Sequence, residues 1–306
     1  MSNILVTGGA GFIGSHLVDE LIRLGHRVII IDDLSTGKEE FINKKVKFIE
    51  KDINNENPSY WARRMDDYKI EYIFHLAATP RIQLSLDQPY DTFEANTLAT
   101  ANILEAGRLA WVKKIIYASS SSVYGKSENL PLDETMICNP QSPYAIQKYL
   151  SELLCKNYAE NFNMDIIALR YFNVYGKRMS MTGAYKLVMA IFNEQKKAGV
   201  PLTIYGDGQQ TRDFTYIDDI VNASISTMIS DIKGFDVFNV CSGKEIKIID
   251  VAKLFNHTCK FIPNPREKWE EIRKYGSFSK INKLLNYYPK IFINEGIQRY
   301  LGGENK

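Results

Sequence analysis

Tyr144 and Lys148 stand four residues apart in Tyr144-Ala145-Ile146-Gln147-Lys148, directly after the turn-forming Pro140-Gln141-Ser142-Pro143. On a helix that spacing puts a phenol and an ammonium on one face. A free phenol has a pKa near ~10, and an ammonium one turn away favours the phenolate, which makes Tyr144 a candidate proton acceptor. Tyr and Lys at this spacing also occur on ordinary amphipathic surfaces, so the pair needs a third group. Ser119-Ser120-Ser121-Ser122 follow the apolar run Lys114 to Ala118 and deliver hydroxyls to a strand end. A hydroxyl there can hydrogen-bond a substrate oxygen and share its proton with the phenol. The chemistry such a set can do is removal and return of an alcohol proton.

The chain start supplies the element that positions a partner for this chemistry. Ile4-Leu5-Val6-Thr7 reads as a buried strand, Gly8-Gly9-Ala10-Gly11 as a turn, and Phe12, Ile13, Leu17, Val18, Leu21 and Leu24 as a helical stripe. Gly8 allows the tight turn, Gly11 lets backbone approach a pyrophosphate, and Gly14 lets the helix lie close to the strand. The N-terminus of the helix that Phe12 and Ile13 begin then favours phosphate charge. A second strand ends in Asp32, whose carboxylate can accept both ribose hydroxyls of an adenosine and repels a 2′-phosphate. Strand, glycine turn, helix, strand and terminal acid in that order read as a dinucleotide site for NAD in preference to NADP. A bound nicotinamide, being positively charged, further favours a Tyr144 phenolate.

Length and composition bound the rest. The 306 residues suffice for a full core, and a net charge of +2 without a long basic cluster argues against nucleic acid as partner. Cys138, Cys155, Cys241 and Cys259 are widely spaced. They form neither a metal-binding CxxC pair nor a disulfide framework, which leaves free thiols in a reducing cytoplasm and no metal. No apolar run approaches the ~20 residues that span a bilayer, and the chain starts directly with a core strand, so no membrane partner is expected.

Strand patterns fall at 3–7, 27–32, 46–50, 71–76, 114–119 and 165–170, and helical patterns at 12–24, 58–68, 92–110 and 144–162. Beyond about Gly176 the alternation loosens into a helix at 184–198, an apolar run at 235–241, a helix near 248–256 and a polar stretch at 263–280. Thr79 to Pro89 reads as a polar loop beside the ligand crevice. The expected fold is α/β, a Rossmann-type doubly wound parallel sheet over 1–176 with a smaller C-terminal substrate-binding lobe over 177–306. About 208–245 of that lobe is expected to return to the sheet.

Gly8/Gly11/Gly14, Asp32, His75-Leu76-Ala77-Ala78, Ser119 to Gly125, Tyr144/Lys148 and Arg170-Tyr171-Phe172-Asn173-Val174-Tyr175-Gly176 together resemble an extended short-chain dehydrogenase/reductase. More narrowly the chain is similar to the nucleotide-sugar epimerase/dehydratase group, most of all to UDP-glucose 4-epimerases, from Asn3 to about Leu285. The resemblance implies that Ser120, Tyr144 and Lys148 are catalytic. It implies that Asp52 and Ile53 contact adenine, that Leu76, Ala77 and Ala78 line the pyrophosphate side, and that Asn96 and Tyr171 lie on the cofactor side. It places Ser121, Asn173, Arg212 and Arg266 toward the substrate, with Arg212 on a diphosphate, and it implies a homodimer paired through 92–110 and 144–162, while Thr79-Pro80-Arg81-Ile82 by itself puts the Arg81 cation where a pocket could read a carboxylate or phosphate.

Related dehydratases and decarboxylases carry an acid where this chain has Ser122, and a serine cannot readily move the proton that those reactions require. The implied reaction is therefore reversible oxidation at C4 of a UDP-linked sugar, with NAD retained and C4 inverted. UDP-N-acetylglucosamine and UDP-glucuronate epimerisation, a 4-ketoreductase and a non-catalytic NAD-binding scaffold stay open at this point.

Overall fold

The computed structural model describes residues 1–80, 82–179, 187–264 and 272–302. They divide into two compact units, one of Met1–Gly125, Ile137–Arg170 and Val221–Phe238, the other of Lys126–Met136, Tyr171–Ile220 and Asn239–Lys306.

The first unit follows from strands rich in β-branched residues alternating with amphipathic helices. Along the chain these are β1 (Asn3–Thr7), α1 (Phe12–Arg23), β2 (Arg27–Asp32), β3 (Lys47–Glu50), α2 (Pro58–Asp67) and β4 (Tyr72–His75). Then come α3 (Ile82–Asp87), α4 (Pro89–Phe93), a turn of π-helix at Glu94–Leu98, α5 (Ala99–Leu109), β5 (Lys114–Ser120), α6 (Pro143–Phe162) and β6 (Ile166–Tyr171). The seven-stranded parallel sheet runs Phe235–Val240, β6, β5, β4, β1, β2, β3. From β1 the chain steps out to β2 and β3 and then returns to the other flank of β1, and such a reversal opens a crevice at the carboxyl ends. The register fixes its floor, since Thr7 is paired with Ile31 of β2 and His75 of β4.

Leu5, Ile29, Ile31, Ile73, Ile115 and Tyr117 from the strands pack with Trp61 and Met65 of α2, Ile103 and Leu104 of α5, and Cys155 and Ala159 of α6. Each such apolar side chain contributes roughly 1.5–3 kcal/mol on burial. Lys114, although buried, donates from Nζ to the Thr227 and Ser230 carbonyls, 3.4 and 2.5 Å away. These lie at the end of helix Ile217–Ile229, where a cation meets the negative end of the helix dipole.

Two elements differ from the sequence expectations. The stretch 79–89 contains helix α3 in place of an all-loop crevice wall. Its apolar residues Ile82, Leu84 and Leu86 alternate with a period of two that hides the helix, and Ser85 holds it by donating to the Ile82 carbonyl and accepting from the Tyr144 N–H. Helix Ile217–Ile229 has no counterpart among the helical patterns, because its outer stripe mixes Asp218, Asn222 and Ser226 with the apolar Ile225 and Ile229 and so blurs the period.

In the second unit, short strands pair Leu202–Tyr205 with Cys259–Ile262, Thr211–Arg212 with Ile246–Lys247, and Val174–Tyr175 with Thr215–Tyr216. Its core includes Phe192 edge-on to Phe255 and Tyr175 edge-on to Phe214 and Tyr216. Of the sequence expectations there, the start of the 184–198 helix and most of 263–271 lie outside the described residues; the described helix is Val188–Lys197.

Candidate active site

The turn after β1 is built for close approach of backbone to backbone. Gly8 has φ +71°, and a Cβ there would lie 2.7 Å from the Ala77 nitrogen. A Cβ at Gly14 would lie 2.1 Å from the Gly8 carbonyl oxygen, so only glycine lets α1 start this near the turn. Gly11 is the N-cap of α1, with no side-chain cap over the helix end that Phe12 and Ile13 open. That uncapped positive end suits a pyrophosphate.

Asp32 closes β2, buried, accepting from the Ala10 N–H at 2.9 Å and the Leu34 N–H at 2.9 Å. Burial pushes its pKa up, and those two donors oppose the rise by favouring the carboxylate. Asp52 accepts from the Asn54 N–H and starts the 3₁₀ turn Ile53–Asn55, while Ile53 is buried in the core and its carbonyl accepts from Trp61 Nε1. Leu76, Ala77 and Ala78 follow β4 half-buried, with the Ala77 N–H donating to Thr7 Oγ1. Thr7 also meets His75, whose other ring nitrogen meets Thr100 Oγ1. Burial, with the charge of Lys148 second, holds the His75 pKa down at about 3, so the ring is neutral. The glycine cradle, the uncapped helix and the terminal acid fit a dinucleotide.

At the end of β5 the candidate proton-transfer residues Ser120, Tyr144 and Lys148 come together. Ser120 Oγ accepts from the Ser122 N–H at 3.2 Å and from the Ser122 hydroxyl at 3.0 Å. Its own proton is left for the Tyr144 oxygen, with which it is hydrogen-bonded. Ser122 is thus spent on orienting Ser120, and Ser121 is buried. Tyr144 is 8% exposed; burial pushes its pKa up to about 12 and the Ser120 bond opposes this. Lys148 donates from Nζ to the Ala118 carbonyl at 2.8 Å and lies 4.9 Å from the centre of the Tyr117 ring. Burial pushes its pKa down to about 8. The one-turn spacing therefore does not by itself yield a phenolate at neutral pH, because desolvation outweighs it.

Asn96 sits in the π-helical turn, a geometry that recurs at functional sites. Its Oδ1 accepts from the Thr79 N–H, and its Nδ2 donates to the Thr79 carbonyl and to Gln147 Oε1. Both amide protons are therefore committed to protein partners, and Asn96 ties the loop after β4 to α6. Gln147 completes the tie by donating to Thr92 Oγ1 and the Pro89 carbonyl.

In the second unit Tyr171 is buried, and Asn173 Nδ2 donates to the Asp213 carbonyl, which brings Asn173 next to Arg212 in space. Arg212 is half-buried on strand Thr211–Arg212 and donates to the Thr211 carbonyl. Arg81 and Arg266 lie outside the described residues.

Sequence reasoning misses Gln147, Glu152 and Asp213. For the first two a signal exists, since the buried face of α6 reads Tyr144, Gln147, Lys148, Ser151, Glu152, Cys155. Four polar or charged residues in a core-facing stripe mark a hydrogen-bonded network.

A Rossmann sheet whose carboxyl edge carries a glycine cradle, a terminal acid and a hydrogen-bonded Ser-Tyr pair one turn from a buried Lys defines a dinucleotide-dependent enzyme of the Ser-Tyr-Lys type. The chain belongs to the NAD dependent epimerase/dehydratase family, whose model matches residues 4–241. It is 34% identical over 308 residues to a UDP-glucose 4-epimerase of Mycolicibacterium smegmatis, covering 96% of each chain. The crystal structure of UDP-glucose 4-epimerase with UDP-glucose from Thermotoga maritima superposes with a TM-score of 0.92 at 34% identity, over 98% of this chain and 97% of that one. UDP-glucuronic acid 4-epimerase from Bacillus cereus, in complex with UDP-glucuronic acid and NAD, gives 0.87 at 31% identity over 98% of each. Among the described residues no cluster of His, Cys, Asp or Glu could hold a metal ion, and no helix is long and apolar enough to cross a membrane.

Proposed function

We propose that this chain is an NAD-dependent 4-epimerase of UDP-sugars, interconverting gluco and galacto forms through a transient 4-keto sugar. The observation that carries it is the Ser120–Tyr144–Lys148 set with a serine, not an acid, at 122. In this reading Tyr144 takes the proton of the sugar 4-hydroxyl and returns it after the sugar has presented its other face. Ser120, its oxygen held by Ser122, passes its proton between the sugar oxygen and the phenol. Lys148 supports the phenolate as a buried cation. Bound NAD supplies the hydride acceptor and, as a cation, the remaining charge that a phenol at about 12 requires to act near neutrality. Gly8, Gly11, Phe12, Ile13, Gly14, Asp32, Asp52, Ile53 and Leu76–Ala78 are assigned to holding it. Asn173 and Arg212 are assigned to the substrate diphosphate, for which a guanidinium fork is well shaped.

The test is NMR of the purified protein with UDP-galactose, UDP-N-acetylgalactosamine or UDP-galacturonate, each with and without added NAD⁺. Conversion to the gluco epimer without net NADH is expected, and the sugar converted names the substrate. Stoichiometric NADH production or consumption points to reductase chemistry instead, and inertness toward all three overturns the reading. Tyr144→Phe should keep NAD and lose turnover by at least ~100-fold.

The reading extends to assembly and place. On α6, Ile146, Leu150 and Leu153 are exposed at 52%, 36% and 46%, and Leu86, Tyr90 and Phe93 on α3 and α4 are exposed as well. Apolar side chains in such numbers favour burial against a second copy, hence a homodimer. Leu150→Glu/Leu153→Glu should sediment as a monomer; an unchanged sedimentation coefficient counts against this interface. The four free thiols support a cytoplasmic location.

A further inference from the structure

Three residues one helical turn apart on α6 hold three successive residues at the end of β5. Tyr144 bonds Ser120, Lys148 bonds the Ala118 carbonyl, and Glu152 accepts from Ser119 Oγ at 2.5 Å. The first two belong to the proton-transfer set; the third lies outside it. Glu152 is 4% exposed at its side chain and faces Arg170, 5% exposed, in a two-point pair of 3.0 and 2.7 Å. Arg170 in turn lies 4.7 Å from the centre of the Tyr124 ring, within the turn that follows Ser120. A buried ion pair is weak evidence for stability, because desolvation consumes most of its attraction, so its placement calls for another explanation.

We propose that Glu152 is a positioning residue for the reaction, holding Ser119 and hence the serine turn, and supplying the buried negative charge that stabilises the Lys148 ammonium one turn away. The inference rests on the epimerase reading for its kinetic test and on geometry for the rest. The groups that face Lys148 are Tyr144, Glu152 and the Cys155 thiol on its own helix, the Tyr117 ring on β5 and the neutral His75 on β4. Of these Glu152 is the one carboxylate. Burial disfavours the ammonium, and the fields of Cys155 and Glu152 oppose that. The Arg170 guanidinium meets that carboxylate at two points inside the fold.

The experiment compares the pH dependence of kcat for the NAD-loaded wild type, Glu152→Gln and Glu152→Gln/Arg170→Met. Glutamine keeps an acceptor for Ser119 and removes only the charge. The alkaline limb of kcat should move down by about one pH unit in the single variant. It should stay there in the double variant, which carries no unpaired buried arginine, while KM for the UDP-sugar changes little. If Glu152 is merely structural, the double variant regains the wild-type profile, or neither profile moves, and the proposal is overturned. A single variant that does not fold leaves the double variant to decide. Titration of the Lys148 side chain by NMR of ¹³Cε-labelled lysine, assigned with Lys148→Arg, should show the same downward shift without any turnover. A wild type inert toward every UDP-sugar therefore sinks the epimerase reading while this measurement still judges Glu152.

Discussion

Each unit buries a carboxylate near its candidate residues, and the two are neutralised in opposite ways. Glu152 in the first unit faces a guanidinium and a serine hydroxyl. Asp213 in the second is held by neutral donors. Its Oδ1 accepts from the Ser242 N–H and Oγ, and its Oδ2 from the Gly243 and Gly276 N–H groups. Burial pushes the Asp213 pKa up to about 6, and those donors oppose the rise. The contrast separates two uses of a buried carboxylate. A formal ion pair projects a field onto neighbouring charges such as Lys148, whereas a carboxylate wrapped in amides stitches chain segments together. Asp213 joins Thr211–Arg212 to the turn at 242–243 and to Gly276, and through its own carbonyl it holds Asn173. It thereby sets Arg212 and Asn173 side by side.

The largest expected effect follows from breaking the ion pair on one side. Glu152→Ala strands Arg170 in the interior, and urea unfolding should register a loss of about 3–5 kcal/mol. Replacing Arg170 by Met in the same chain should recover most of it; no recovery would mean that Glu152 is held by something other than charge.

Asp213 offers no such second-site rescue, which widens the contrast. Asp213→Asn turns two acceptor positions into donors facing donors and should cost about 2 kcal/mol or more. The pH dependence adds a signature with a definite sign. Because the folded-state pKa lies at about 6, above the ordinary value of 3.8, the native state binds the extra proton between those values. Stability from this group is therefore highest at low pH and falls as pH rises from 4 to 6, by on the order of 2–3 kcal/mol. The variant lacks that slope, so its deficit against wild type should be larger at pH 4.5 than at pH 7. A deficit that grows with pH would show the carboxylate to be ionised throughout, with its amide and hydroxyl donors outweighing burial.

The smallest effect belongs to an exposed pair of similar geometry. Arg23 and Glu20 meet at 2.6 Å on α1, with the arginine side chain 69% exposed. Arg23→Ala should leave Tm within about 1 °C, since solvent already screens the charges. A large drop would undo the premise that burial, not bond length, separates Glu152 from surface pairs.

Much of the first unit is legible in the amino-acid sequence, because buried parallel strands carry an apolar signal that no loop imitates. The strands expected at 3–7 and 27–32 coincide with β1 and β2, and those at 71–76, 114–119 and 165–170 fall within a residue of β4, β5 and β6. Helix α3, whose Ile82, Leu84 and Leu86 alternate with a strand-like period, and helix Ile217–Ile229, whose outer stripe mixes Asn222 with Ile229, show no clear amphipathic period and so escape. At the site, the glycines are legible because only glycine satisfies their backbone geometry. Tyr144 and Lys148 are legible because helix spacing is local.

The family, the Rossmann order of elements and the Tyr144/Lys148 spacing are all written in the linear chain, since each rests on residues near one another in it or on a fixed period. Folding alone settles that Ser122 is spent on Ser120, that Asn96 is committed to Thr79 and Gln147, and that Glu152 of α6 meets an arginine of β6. It also sets the ionisation balance, in which burial drives Tyr144 up to about 12 and Lys148 down to about 8. The physical reason is that desolvation and long-range hydrogen bonds depend on what the folded chain packs around a group, and no local spacing encodes that.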